Sequence, residues 1–139
     1  MSITSTAGAV AALDGLGDAY NGVADLELWT GTMPTDAGAA PGGSKLCSIS
    51  MQATPFAAAT PGTHEAVKVA NLPITGTASA GGAAAFFRIT NPGTSTMWQG
   101  TVTSTLIGTG ELLIDDVNIL INGTINITGL TIRLSSGGS

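Results

Sequence analysis

The chain has 139 residues and a net charge of −5, and only 9% of its residues are Asp, Glu, Lys or Arg, where an average soluble domain carries roughly 25%. That length suits one domain able to bury a hydrophobic core without staples, and the lone Cys47 excludes an internal disulfide framework. The cations Lys45, Lys68, Arg88 and Arg133 are scattered, which excludes a basic footprint for nucleic acid, and no apolar run is long enough to span a membrane.

Residues 1–6 are polar and read as an N-terminal arm. They lack the positive n-region of a secretory signal, so synthesis in a cytoplasm is expected. Over residues 7–20, Val10, Leu13, Leu16 and Tyr20 follow helical spacing, with Asp14 and Asp18 on another, solvated face. Gly8, Gly15 and Gly17 each cost up to about 1 kcal/mol relative to alanine. The result is a short, weak helix that ends near Asn21–Gly22 and depends on tertiary packing.

From Ala24 the period becomes two. Leu26 and Leu28 point one way, and Asp25, Glu27 and Trp29 the other. Residues 33–44 follow, a long loop holding Met33, Pro34 and Pro41, and the natural role of such a loop here is contact. Residues 45–52 make a strand with Cys47, Ile49 and Met51 on one face. Residues 54–63 carry Pro55, Phe56 and Pro61 and read as irregular or as a sheet edge. Residues 65–72 read as a strand with Val67 and Val69 inward.

Residues 84–90 put Phe87 and Ile89 on one face and Phe86 and Arg88 on the other. Asn91-Pro92-Gly93-Thr94 signals a turn, after which residues 95–105 return as a hairpin partner with Trp98 and Val102 on one side. Residues 112–115 and 117–121 are extended. Asn122-Gly123 then matches a type I′ hairpin turn into residues 124–134. In that last segment the apolar parity slips from Ile125 and Ile127 to Leu130, Ile132 and Leu134. A slip at Gly129 is what a β-bulge looks like in sequence. Residues 135–139 read as a flexible tail. These strands and turns imply a mainly β, single-domain β-sandwich over residues 7–134, a jelly roll in outline, with one short N-terminal helix.

Residues that carry chemistry are few. His64 is the only histidine and lies in TPGTHEA, without the surroundings of a nucleophile elbow, so a surface-loop role is expected. One His and one Cys cannot build a zinc site. Asp115 and Asp116, with Glu111 nearby, form the densest acidic group. Adjacent strand residues diverge, so a turn after Ile114 is expected, with weak Ca²⁺ binding as the other reading. Asn122-Gly-Thr and Asn126-Ile-Thr match the glycosylation sequon by chance in a Thr-rich chain. No catalytic, cofactor-binding or metal site is expected.

A charge-poor surface of small residues is easily buried against another protein, because few charges need desolvating. Candidate interface residues are Trp29, Met33, Pro34, Pro41, Phe56 and Trp98. Trp29 has two readings: it lies beneath the N-terminal helix, or it anchors a partner, where Trp is enriched.

The motifs LELWTGTMP (26–34), LCSISM (46–51), AAFFRI (84–89) and GTV (100–102), with the Thr/Ile-rich segment 117–134, form a pattern. It resembles the capsid decoration, or cementing, proteins of tailed bacteriophages. Phe86–Phe87 departs from the Trp-Phe of that pattern. The resemblance implies a jelly-roll subunit that dimerises on the outer surface of an HK97-like head, in the virion, and ties neighbouring major capsid proteins together. It also leaves a tail or baseplate accessory, or a receptor-binding module, as an alternative. Trp98 with Gln99 would be the sugar-binding pair of that alternative.

Overall fold

The computed structural model describes residues 5–19, 24–36, 39–91 and 96–135. The fold is mainly β with one short helix, and its large sheet curls into a jelly-roll-like sandwich. The helix α1 spans Thr6–Ala19. Ser5 caps it: the Gly8 N–H donates to Ser5 Oγ at 3.0 Å, and the Ala9 N–H to the Ser5 carbonyl at 2.9 Å. The strands are β1 (Asp25–Trp29), β2 (Lys45–Ser50), β3 (Thr60–Gly62), β4 (Glu65–Val69), β5 (Ile74–Thr77), β6 (Gly82–Ala83), β7 (Phe86–Thr90), β8 (Thr96–Ser104), β9 (Leu112–Ile114), β10 (Asn118–Ile119) and β11 (Thr124–Ser135).

The large sheet runs β2-β1-β7-β8-β9-β11-β4-β3, with β5 also paired to β11. All its pairs are antiparallel except β8 and β9. In the first half the register aligns Leu26 with Ile49 and Ile89, and Leu28 with Cys47 and Phe87. These six side chains are 0–4% exposed and form the inner face. Each large apolar side chain buried this way contributes about 1.5–3 kcal/mol. The second half supplies Ile74, Leu112, Ile114, Ile125, Ile127, Leu130 and Ile132 to the same core. The halves meet where β2 crosses β5. A Cβ on Gly76 would lie 2.6 Å from Ile49 Cγ1, so glycine permits the approach.

The bulge expected near Gly129 is present: the β9–β11 register shifts between Ile127 and Gly129. It keeps Leu130 and Ile132 on the face already used by Ile125 and Ile127. Thr128, at the shift, hydrogen-bonds the Leu113 carbonyl and the Thr105 hydroxyl.

Four expectations need correction. First, β4 turns its other face inward. Ala66 and Lys68 are buried, whereas Val69 is 50% exposed. Second, Asp14, with its side chain 40% exposed, does not face solvent alone. It accepts a hydrogen bond from Lys68 Nζ at 2.7 Å and another from the Ala59 N–H at 2.7 Å. The ion pair lets a lysine occupy the inward position, and the two errors have this one cause.

Third, α1 packs on β4, β11 and β3 and does not cover Trp29. Fourth, Asn122-Gly123 does not close a hairpin. β10 pairs with β6 in a separate two-stranded sheet, while β11 joins the large one. The turn is real, with Gly123 N–H bonded to the Leu120 carbonyl at 2.8 Å, but the positive φ of 65° falls on Asn122 alone. A type I′ turn needs both central residues positive; here Asn122 is the third of four, as in type II.

Thr6, expected in the arm, begins α1, and Ser135, expected in the tail, ends β11. The rest of the arm before Ser5, the side chains of Leu16, Asp18 and Tyr20, the helix end near Asn21–Gly22, the turn residues Pro92–Thr94, and the tail from Ser136 lie outside the described residues.

Candidate protein-interaction surfaces

The outer face of β1, β7 and β8 carries Glu27, Trp29, Phe86, Arg88 and Gln99, as the register requires. The loop after β1 folds back over it. Thr30 N–H and the Ser44 carbonyl close the loop base at 3.0 Å, and Ser44 N–H donates to Thr30 Oγ1 at 2.9 Å. A Cβ on Gly43 would fall 1.9 Å from the Thr30 carbonyl oxygen, so this closure demands glycine. Further out, an Arg88 guanidinium N–H donates to the Ala39 carbonyl and the Gln99 amide to the Pro34 carbonyl. Burial pulls the Arg88 pKa down, and the carboxylates of Glu27 and Asp36 oppose that shift.

Trp29 stacks on Phe86, with ring centroids 6.4 Å apart and an interplanar angle of 11°. Its indole N–H donates to Glu27 Oε1 at 3.1 Å. Phe86 is fully buried yet lies outside the main core cluster. The segment 33–44 therefore contributes to the fold. Met33, Pro34 and Pro41 are half-buried in it.

The remaining interface candidates also turn toward the protein. Phe56 is 4% exposed and bridges Ala70, which makes it a core residue. The backbone bends through Pro55–Phe56 back to β4, and apolar area from Phe56 is spent there. Trp98 packs against the core beside Phe87 and Ile89, and its Nε1 lacks a partner in good hydrogen-bond geometry. Trp98 and Gln99, as strand neighbours, face opposite sides of β8, so they do not form one sugar-binding platform.

Large aliphatic side chains elsewhere are open to solvent: Val69 (50%), Leu72 (47%), Leu106 (95%), Ile107 (64%), Leu120 (77%) and Ile121 (62%). Sequence reasoning placed Val69 inward and marked none of the other five as exposed. The available signal was an apolar pair lodged beside turn residues, as in Leu106-Ile107-Gly108 and Leu120-Ile121-Asn122-Gly123. Such pairs break the strand alternation where no further strand can bury them.

Asp115 and Asp116 are exposed in the bend after β9, and the Asn118 N–H donates to Asp116 Oδ1 at 2.9 Å. This is the expected turn, held by an Asp side chain. A cleft of about 210 Å³ opens beside it, between this bend and the start of β11. Glu111 lies elsewhere, over Gly100, where a Cβ would meet its Oε2 at 2.7 Å. Burial pushes the Glu111 carboxyl above its usual range, partly offset by the nearby Trp98 indole and then by Arg133. His64 is exposed, with φ of 54°, in the two-residue turn joining β3 to β4. The Cys47 thiol is buried, and desolvation pushes its pKa up, which disfavours the reactive thiolate. Among the described residues, no three His, Cys, Asp or Glu side chains are grouped to hold a metal ion. Among them, no helix is long and apolar enough to cross a membrane.

No family model, curated protein or solved structure matches this chain.

Proposed function

We propose that the chain is a structural virion protein that binds the outside of a tailed-phage head and cements neighbouring major capsid proteins. The observation that carries the packing role is the set of exposed aliphatic side chains, 47–95% open, on a surface with so few charges. Large apolar side chains left open to this extent are what an interaction surface presents. The choice of a capsid partner rests on the sequence resemblance in segments 26–34, 46–51, 84–89 and 100–102.

The mechanism is avidity. A subunit touching two capsomers makes its second contact intramolecular, so modest interfaces hold the shell. Buried areas of about 1,200–2,000 Å² are enough. The sheet edges are poorly suited to strand addition. β3 is three residues long and carries Pro61, and the Leu46 carbonyl on β2 already accepts from Ser79 and Ala80. Side-chain contact is therefore the favoured mode.

The test is copurification. The protein should remain on purified mature heads in a fixed ratio to the shell protein, and should rebind to heads stripped of it. Its absence from heads, or its presence on tails alone, would overturn the assignment.

A further inference from the structure

One end of the molecule combines exposed aliphatic side chains with uncompensated acid. β8 and β9 run parallel, with Ser104 beside Ile114, so the turn at Leu106–Ile107 and the bend at Asp115–Asp116 leave the same end of the sheet. The Thr105 N–H, bonded to the Ile114 carbonyl at 2.8 Å, ties them together. β11 is antiparallel to β9, so its first residues, and Leu120–Ile121 just before them, rise at that end too. Leu120 and both aspartates line the same cleft.

The charge inventory decides what fits there. The chain has four Lys and Arg residues. Lys45 pairs with Glu27 at 3.4 Å, Lys68 with Asp14 at 2.7 Å and Arg133 with Glu65 at 2.9 Å. Arg88 is buried and bonded to the Ala39 carbonyl. None of the four is left for Asp115 or Asp116. His64 sits at the opposite end, since Glu65 pairs with Ser135 at the far end of β11. A second copy docked through the same end would bring the same acids to the contact and no cation, and like charges across an interface repel.

We propose that this end docks a partner segment presenting aliphatic side chains flanked by Lys or Arg. The aliphatic residues cover Leu106, Ile107, Leu120 and Ile121, and the cations face Asp115 and Asp116. The proposal rests on the reading of the chain as a packing subunit, and it does not depend on the partner being a phage shell.

The test uses the full chain, isotope-labelled at its methyl groups, and a synthetic peptide with a Leu-Ile-Leu centre and two Lys at each end. Titration should shift the Leu106, Ile107, Leu120 and Ile121 methyl signals. Asp115→Asn with Asp116→Asn should weaken binding about fivefold, and Leu120→Ser with Ile121→Ser about tenfold or more. Added salt should weaken it in the parent and much less in the Asn variant. A Glu-flanked peptide should not bind. The proposal fails if the Lys peptide causes no shift, or if it binds the Asn variant equally well. It also fails if neutral phosphatidylcholine vesicles bind this end, or if the chain is a dimer that Leu120→Ser with Ile121→Ser makes monomeric. Such failures leave head copurification untouched, so the two readings stand or fall separately.

Discussion

Lys68 is 4% exposed among apolar neighbours, and its ammonium is held 2.7 Å from Asp14 Oδ1. A buried charge left without its partner is costly. The Asp14 carboxyl is held below its ordinary 3.8, first by the Lys68 hydrogen bond and then by the Ala59 N–H. A depressed carboxylate contributes stability above its unfolded value and loses it as pH falls through the folded one. Asp14→Asn should therefore destabilise the protein near neutrality, and its deficit should shrink below 3.8. Urea titrations across that range measure both. Glu111 has the opposite sign. Its folded pKa is raised above 4.5 by burial, so its contribution is full below 4.5 and lost as pH rises through the folded value. Glu111→Gln should stabilise the fold near neutrality and give no gain below 4.5. The same urea titrations would reject this if the gain were equal at both ends.

At the scale of elements, the sandwich depends on β2 and β5 coming close. Gly76 faces Ile49 with no room for a side chain. Gly76→Val should push the halves apart and cost about 1–3 kcal/mol. Gly76→Val with Ile49→Ala should recover part of that loss, which a double-mutant cycle of unfolding free energies would reveal. The strands that alternate cleanly were legible beforehand. Leu26 with Leu28, and Cys47 with Ile49, share one face by spacing, and the structure buries that face. β4 was not legible, because the alternation in Glu65–Val69 has valines on one face and Ala66 with Lys68 on the other. Hydropathy selects the valines, but the helix that brings Asp14 selects the lysine. The Asn122-Gly123 dipeptide misled for a related reason. It specifies a reversal locally, but β6 and β5 compete for the strands on either side of it.

At the scale of the whole molecule, β11 is the spine. It pairs with β9 on one edge and with β5 and β4 on the other. Its partners include residues as distant as Glu65, which pairs with Ser135. Such long-range pairing folds slowly, on the order of milliseconds to seconds. Stopped-flow refolding should fall in that range. Ending the chain after Leu130 should abolish cooperative unfolding in calorimetry, because β4 then has no partner on that edge and α1 loses part of its seat. A truncated chain that melts cooperatively at the parent temperature would contradict this role.

The sequence alone determined the β class, the single helix, the bulge before Leu130 and the scarcity of charge, because each is written in local spacing or composition. Tertiary structure alone decided which interface candidates were free. Phe56 and Trp98 went to the core, and Trp29 stacked on Phe86 beside a loop that Arg88 and Gln99 hold. Leu106, Ile107, Leu120 and Ile121 stayed in solvent. Hydrophobicity says that a side chain gains by burial, but only the positions of the other elements determine whether its own chain can cover it.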